Sequence, residues 1–92
     1  MNNEYVYRPI NMKATGSQIR DRRMKRNITL EQLAECCCVT PQAVCKWQRG
    51  EALPTIDNLM VLVDLFHVSV EDLIVRDDDR SSVVSGEEYQ VA

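Results

Sequence analysis

The sequence predicts an all-α fold, a compact five-helix bundle, and three observations carry that prediction. Apolar residues recur three and four positions apart in successive short windows, the spacing of one helix face. The windows open on Ser or Thr residues placed to cap a helix, and several close on a residue suited to a left-handed turn. Aromatics are few, with one Trp, one Phe and three Tyr, so Leu, Val, Ile, Met and Cys must fill the core. A chain of 92 residues holds one domain, and a single core of that size folds without metals or disulfides.

Residues 1 to 14 mix Asn, Tyr, Arg and Pro9 without a sustained period and read as an extended arm. Thr15 or Ser17 then caps a basic helix running to Lys25 or Arg26, with Ile19 and Met24 among its few apolar residues and Asn27 suited to end it. Thr29 opens the second helix, where Gln32 completes a capping box and Leu30, Leu33, Ala34 and Cys37 share a face. After Cys38 and Val39, Thr40 caps a third helix with Pro41 at its first position, where a missing N–H costs nothing. That helix runs to Arg49 and stops at Gly50. Leu53 and Pro54 connect to Thr55, which caps a fourth helix marked by Ile56, Leu59, Leu62, Val63 and Phe66. Ser69 with Asp72 opens a short fifth helix carrying Val70, Leu73 and Ile74. The domain is therefore placed at 15 to 75. Residues 76 to 92, rich in Asp and Ser, read as an acidic, disordered tail.

The net charge of −3 is unevenly spread. Residues 1 to 50 hold nine Lys and Arg against four acids, whereas residues 51 to 92 hold two against ten. A polyanionic partner should therefore meet the first half, and the acidic tail is a candidate competitor for the same surface. No apolar run approaches the roughly 20 residues of a membrane span, and no signal segment is visible, so a cytoplasmic location is expected. Without an export signal the four cysteines, Cys36, Cys37, Cys38 and Cys45, are expected to be reduced thiols.

The stretch Thr29 to Gly50, TLEQLAECCCVTPQAVCKWQRG, has the form helix, tight turn, capped helix. In a helix-turn-helix the second helix enters the major groove and presents its N-terminal half to base edges. At about 100° per residue, Val44 and Trp47 mark the buried side of residues 41 to 49. Gln42, Cys45, Lys46 and Arg49 share the outward side, with Ala43 beside them. Gln reads adenine bidentately, Lys donates to guanine or phosphate, and Ala contacts a thymine methyl; Arg49, near the end of the helix, is better placed for a phosphate. Periodicity alone also permits an ordinary solvated face.

Residues 17 to 74 resemble the Cro/repressor-type, or xenobiotic-response-element-type, helix-turn-helix family. The matching residues are Ile19 and Arg23, the segment Thr29 to Glu35, Val39, Thr40, Val44, Trp47, Gly50 and the pair Leu53-Pro54. Leu59, Leu62, Val63, Phe66, Val68 and Glu71-Asp72-Leu73 follow in family order. The resemblance implies a lambda-repressor-like DNA-binding domain that binds double-stranded DNA as a homodimer and acts as repressor or activator, with repressor the first expectation. It also implies phosphate contacts at Thr29 and Thr40, and base contacts at Gln42, Ala43, Cys45 and Lys46. A protein-binding module of the same fold, antitoxin-like or an anti-repressor partner, is the alternative that the net acidity keeps open.

Two positions depart from the family pattern. Gln48 stands where a Glu commonly pairs with the helix-1 arginine, so Arg23 has a neutral partner. Cys38 stands where the turn usually holds a left-handed Gly, at a cost of about 1 kcal/mol. The cysteine spacing lacks the paired C-x2-C of zinc sites, and Cys37 is expected in the core. Cys45, on the predicted DNA face, is where oxidation would weaken binding. His67 is expected to face solvent or cap helix 4. No nucleophile with its base, acid–base carboxylate pair or phosphate-binding glycine loop is present in the pattern, so no enzyme activity, cofactor, metal or small-molecule ligand is expected.

Overall fold

The computed structural model describes residues 7–77. Within these residues five helices follow one another: α1 (Met12–Lys25), α2 (Leu30–Cys37), α3 (Pro41–Arg49), α4 (Ile56–Phe66) and α5 (Val70–Leu73). Among the described residues there is no named strand, only an isolated antiparallel bridge between Ile10 and Arg76. Each N-terminus is capped by a side chain that accepts from the third helical amide: Asn11, Thr29, Thr40, Thr55 and Ser69. Both expected capping boxes, Thr29 with Gln32 and Ser69 with Asp72, are closed. These bonds satisfy amides that the helix itself leaves unpaired.

α1 starts earlier than its sequence pattern suggested. Asn11 is the cap, its side chain accepting from the Ala14 amide at 2.9 Å, so Met12 to Ala14 belong to the helix and not to the arm. Thr15, one of the two expected caps, is instead fully buried inside it. Its hydroxyl accepts from the Val75 amide at 2.9 Å and donates to the Val75 carbonyl at 3.4 Å. The helix hides Thr15, Gly16 and Ile19; Met24 lies about 140° around from Ile19 at helical spacing and is exposed.

The core is Ile19, Leu33, Ala34, Cys37, Val44, Trp47, Leu62, Val63, Phe66 and Leu73, drawn from all five helices. Burying each large aliphatic among them contributes about 1.5–3 kcal/mol before chain entropy is set against it. Ile56, expected on the buried side of α4, is instead 75% exposed; that side starts at Leu59, which packs against the core, and is buried at Leu62, Val63 and Phe66. α5 ends at Leu73, leaving Ile74 extended.

Among the described residues four turns take a left-handed residue: Asn27, Cys38 and His67 besides Gly50. Cys38 has φ 56° and ψ 44°, and the chain closes behind it when the Val39 amide donates to the Ala34 carbonyl at 2.9 Å. His67 is exposed and caps α4. All four cysteines are free. Burial chiefly, helped by Cys36 and Cys38 beside it, pushes the Cys37 thiol up to about 11, so it is a neutral packing group at physiological pH.

Candidate nucleic-acid interface

The orientation of α3 is set from behind. Val44 and Trp47 are buried, and α1 crosses so closely that a Cβ on Gly16 would press on the Trp47 carbonyl and lie 2.6 Å from that of Gln48. Gly50, at φ 77°, leaves only 2.8 Å between an added Cβ and the Cα of Lys13. Arg23 ties the same seam by donating to Gln48 Oε1 and to the Ile28 carbonyl, each at 2.8 Å. Sequence reasoning anticipated the Arg23–Gln48 bond but passed over Gly16; a glycine inside a helical pattern is the signal that a backbone approaches closely.

With its inner side fixed, α3 turns the opposite side to solvent. Gln42 and Lys46 are exposed and Cys45 half-buried, and with Pro41 and Arg49 they line one concavity of about 320 Å³. Ala43 is half-buried beside them and donates its amide to Thr40 Oγ1 at 3.1 Å. Thr29 and Thr40 are both exposed. Each hydroxyl oxygen accepts from an N3 amide, which leaves the hydroxyl proton free to donate outward at the positive end of a helix.

Two findings differ from a uniformly basic surface. Arg49 does not stand alone: its Nε and Nη2 donate to the two carboxylate oxygens of Glu51 at 2.9 and 3.2 Å. That hydrogen-bonded contact raises the Arg49 pKa and lowers that of Glu51. The basic residues at the end of α1 also lie elsewhere: Arg22, Lys25 and Arg26 line a separate groove with Phe66. On α3 itself the basic side chains are Lys46 and Arg49, and Arg49 is paired with Glu51 beyond the helix end. Among the described residues no cluster of three or more His, Cys, Asp or Glu side chains is placed to hold a metal.

A capped two-helix unit with this inner packing has a family counterpart, and the helix-turn-helix family model matches residues 19–73. The chain belongs to the helix-turn-helix family. It is 32% identical over 59 residues to the HTH-type transcriptional activator BcrR of Enterococcus faecalis, a match covering 64% of this chain and 29% of that one. The chain thus spans about three-tenths of that relative's length. The P22 c2 repressor, solved in complex with a synthetic operator, superposes with a TM-score of 0.62 at 31% identity, covering 70% of this chain and 96% of that one. The hydroxypropylphosphonic acid epoxidase of S. wedmorenis contains the same fold, with a TM-score of 0.62 and 23% identity over 68% of this chain and 34% of that one. No helix among the described residues is long and apolar enough to cross a membrane.

Proposed function

We propose that this helix-turn-helix protein is a sequence-specific, double-stranded-DNA-binding transcription regulator, a repressor acting in the cytoplasm as a homodimer, with α3 in the major groove. The observation that carries this is the division of α3 into a buried inner side, Val44 and Trp47, and one continuous outer side, Gln42, Cys45 and Lys46. The operator-bound state of the similar P22 c2 repressor supports it. In this reading Gln42 takes an adenine edge, Lys46 a guanine edge, and Ala43 and Cys45 pack on the groove floor. Thr29 and Thr40 donate to phosphates and fix the docking register. Arg49 is a separate case, because Glu51 already holds it.

Selection of bound duplexes from a random DNA library by the purified, reduced protein tests the proposal. An enriched inverted repeat with half-sites about one helical turn apart, bound more weakly as salt rises, is the expected result. The alternative is a protein-binding module on the same fold, favoured by the neutralised Arg49 and the overall charge of −3. Absence of enrichment, with a copurifying protein partner, would favour it.

A further inference from the structure

The pair at the end of α3 has a specific shape. Gly50 takes the left-handed conformation, and the Glu51 amide donates back to the Lys46 carbonyl at 2.9 Å. This closing turn brings the residue after the glycine over the residue before it. Glu51 then meets Arg49 side-on, Oε2 to Nε at 2.9 Å and Oε1 to Nη2 at 3.2 Å. A guanidinium carries five N–H donors in a rigid plane. Side-on capture by Glu51 uses two of them and leaves the far edge, formed by Nη1 and the second proton of Nη2, in a fixed relation to the helix end.

Such a pair suits one ligand chemistry better than another. A phosphate contact draws on net positive charge and releases counterions, yet the Arg49–Glu51 unit is formally neutral and its carboxylate repels a phosphate. A guanine edge needs two parallel donors at a fixed angle to O6 and N7, and the remaining guanidinium edge has that form. Arg49 also lines the same concavity as Gln42, Cys45 and Lys46, the side of α3 that faces outward. We infer that Arg49 reads a guanine in the major groove and that Glu51 is its positioning residue, holding the guanidinium side-on so that its free edge meets O6 and N7. The inference replaces the phosphate role that sequence position suggested for Arg49, and it rests on the reading of α3 as a DNA-recognition helix.

The test compares the full chain with Glu51→Ala, Glu51→Gln and Arg49→Lys in library selection, followed by binding to the selected site with each half-site position varied. Both residues are exposed, with side chains 57% and 51% accessible, so the variants should keep the parent's melting temperature. Besides the position that Lys46 reads, the wild type should prefer guanine at a second position of each half-site by about tenfold. Arg49→Lys and Glu51→Ala should each cut that preference to about twofold, Glu51→Gln should fall between, and the other positions should hold. Tighter binding of Glu51→Ala to every duplex, with the position profile intact and a log–log salt slope steeper by about 1, would make Arg49 a phosphate clamp and overturn the inference alone. A profile unmoved by Arg49→Lys would also overturn it. Failure of the wild type to enrich any sequence would remove the DNA-recognition reading and this inference together.

Discussion

Two neighbouring residues of α1 hold that helix in place by opposite means. Gly16 holds it by having no side chain: the Trp47 and Gln48 carbonyls of α3 lie where its Cβ would be. Thr15 holds it with a polar side chain, buried and bonded in both directions to the Val75 backbone. Around Thr15 residues 8–11 and 75–77 form a clasp, in which Asn11 donates its amide to the Val75 carbonyl at 2.7 Å and its Nδ2 to Asp77 Oδ1 at 3.0 Å. The Asp77 amide donates to the Pro9 carbonyl at 2.8 Å, and Arg76 Nε to the Arg8 carbonyl at 3.0 Å. At Gly16 the α1–α3 seam is a steric fit of backbone on backbone, with no flexible side chain to yield. The clasp is a set of part-buried or exposed hydrogen bonds, several of which water can replace. The seam aims the outer face of α3, while the clasp joins the start of α1 to the segment that follows α5.

Gly16→Ala should break the comparison hardest. The added methyl meets two carbonyls that cannot move without tilting α3, so a loss of about 3 kcal/mol is expected, or roughly 15 °C in melting temperature for a domain of this size. A thermal scan showing a drop of only a degree or two would mean that the helices part easily. Thr15→Val, nearly isosteric, should cost about 1.5 kcal/mol by leaving the Val75 amide without its partner, and it should leave DNA affinity, corrected for folding, unchanged. Lost DNA affinity in fully folded Thr15→Val would show that the clasp also aims α3.

The remaining changes, one in the α2–α3 turn and one in the seam itself, should stabilise. Cys38→Gly relieves a left-handed residue at φ 56° and should gain about 1 kcal/mol in chemical denaturation; an unaltered midpoint would show that the thiol has favourable contacts of its own. Gln48→Glu turns the 2.8 Å bond from Arg23 into an ion pair and should gain about 0.5 kcal/mol. Its sign is readable from a melting curve at low and high salt, since a gain that ignores salt would not be electrostatic.

What could be read from the sequence follows the same division. The caps at Thr29, Thr40, Thr55 and Ser69 and the left-handed Asn27 and Cys38 were legible because each depends on partners within a few residues. The buried roles of Val44 and Trp47 were legible from periodicity within one helix. Asn11 as the cap of α1 was hidden by an unperiodic flank and by Thr15 and Ser17, which look like caps themselves. Thr15 with Val75 and Gly16 with Trp47 were hidden because their partners stand far along the chain, where no local pattern points. In the site, helix spacing grouped Gln42, Cys45, Lys46 and Arg49 correctly. It could not show that Arg49 is held by Glu51, because that depends on the turn at Gly50 folding residue 51 back over 49.

The clasp also sets an order in time. Its side-chain bonds join residues 60 to 69 positions apart, whereas α2 and α3 are separated by only three residues. Closing a long loop costs more chain entropy than closing a short one, so the helix-turn-helix should form first and the two sides of the clasp should meet last. Amide hydrogen exchange reads the matching difference in local stability: the Asn11 and Asp77 amides should exchange by local opening well before those of Leu33 and Val44, which wait for the whole domain to unfold.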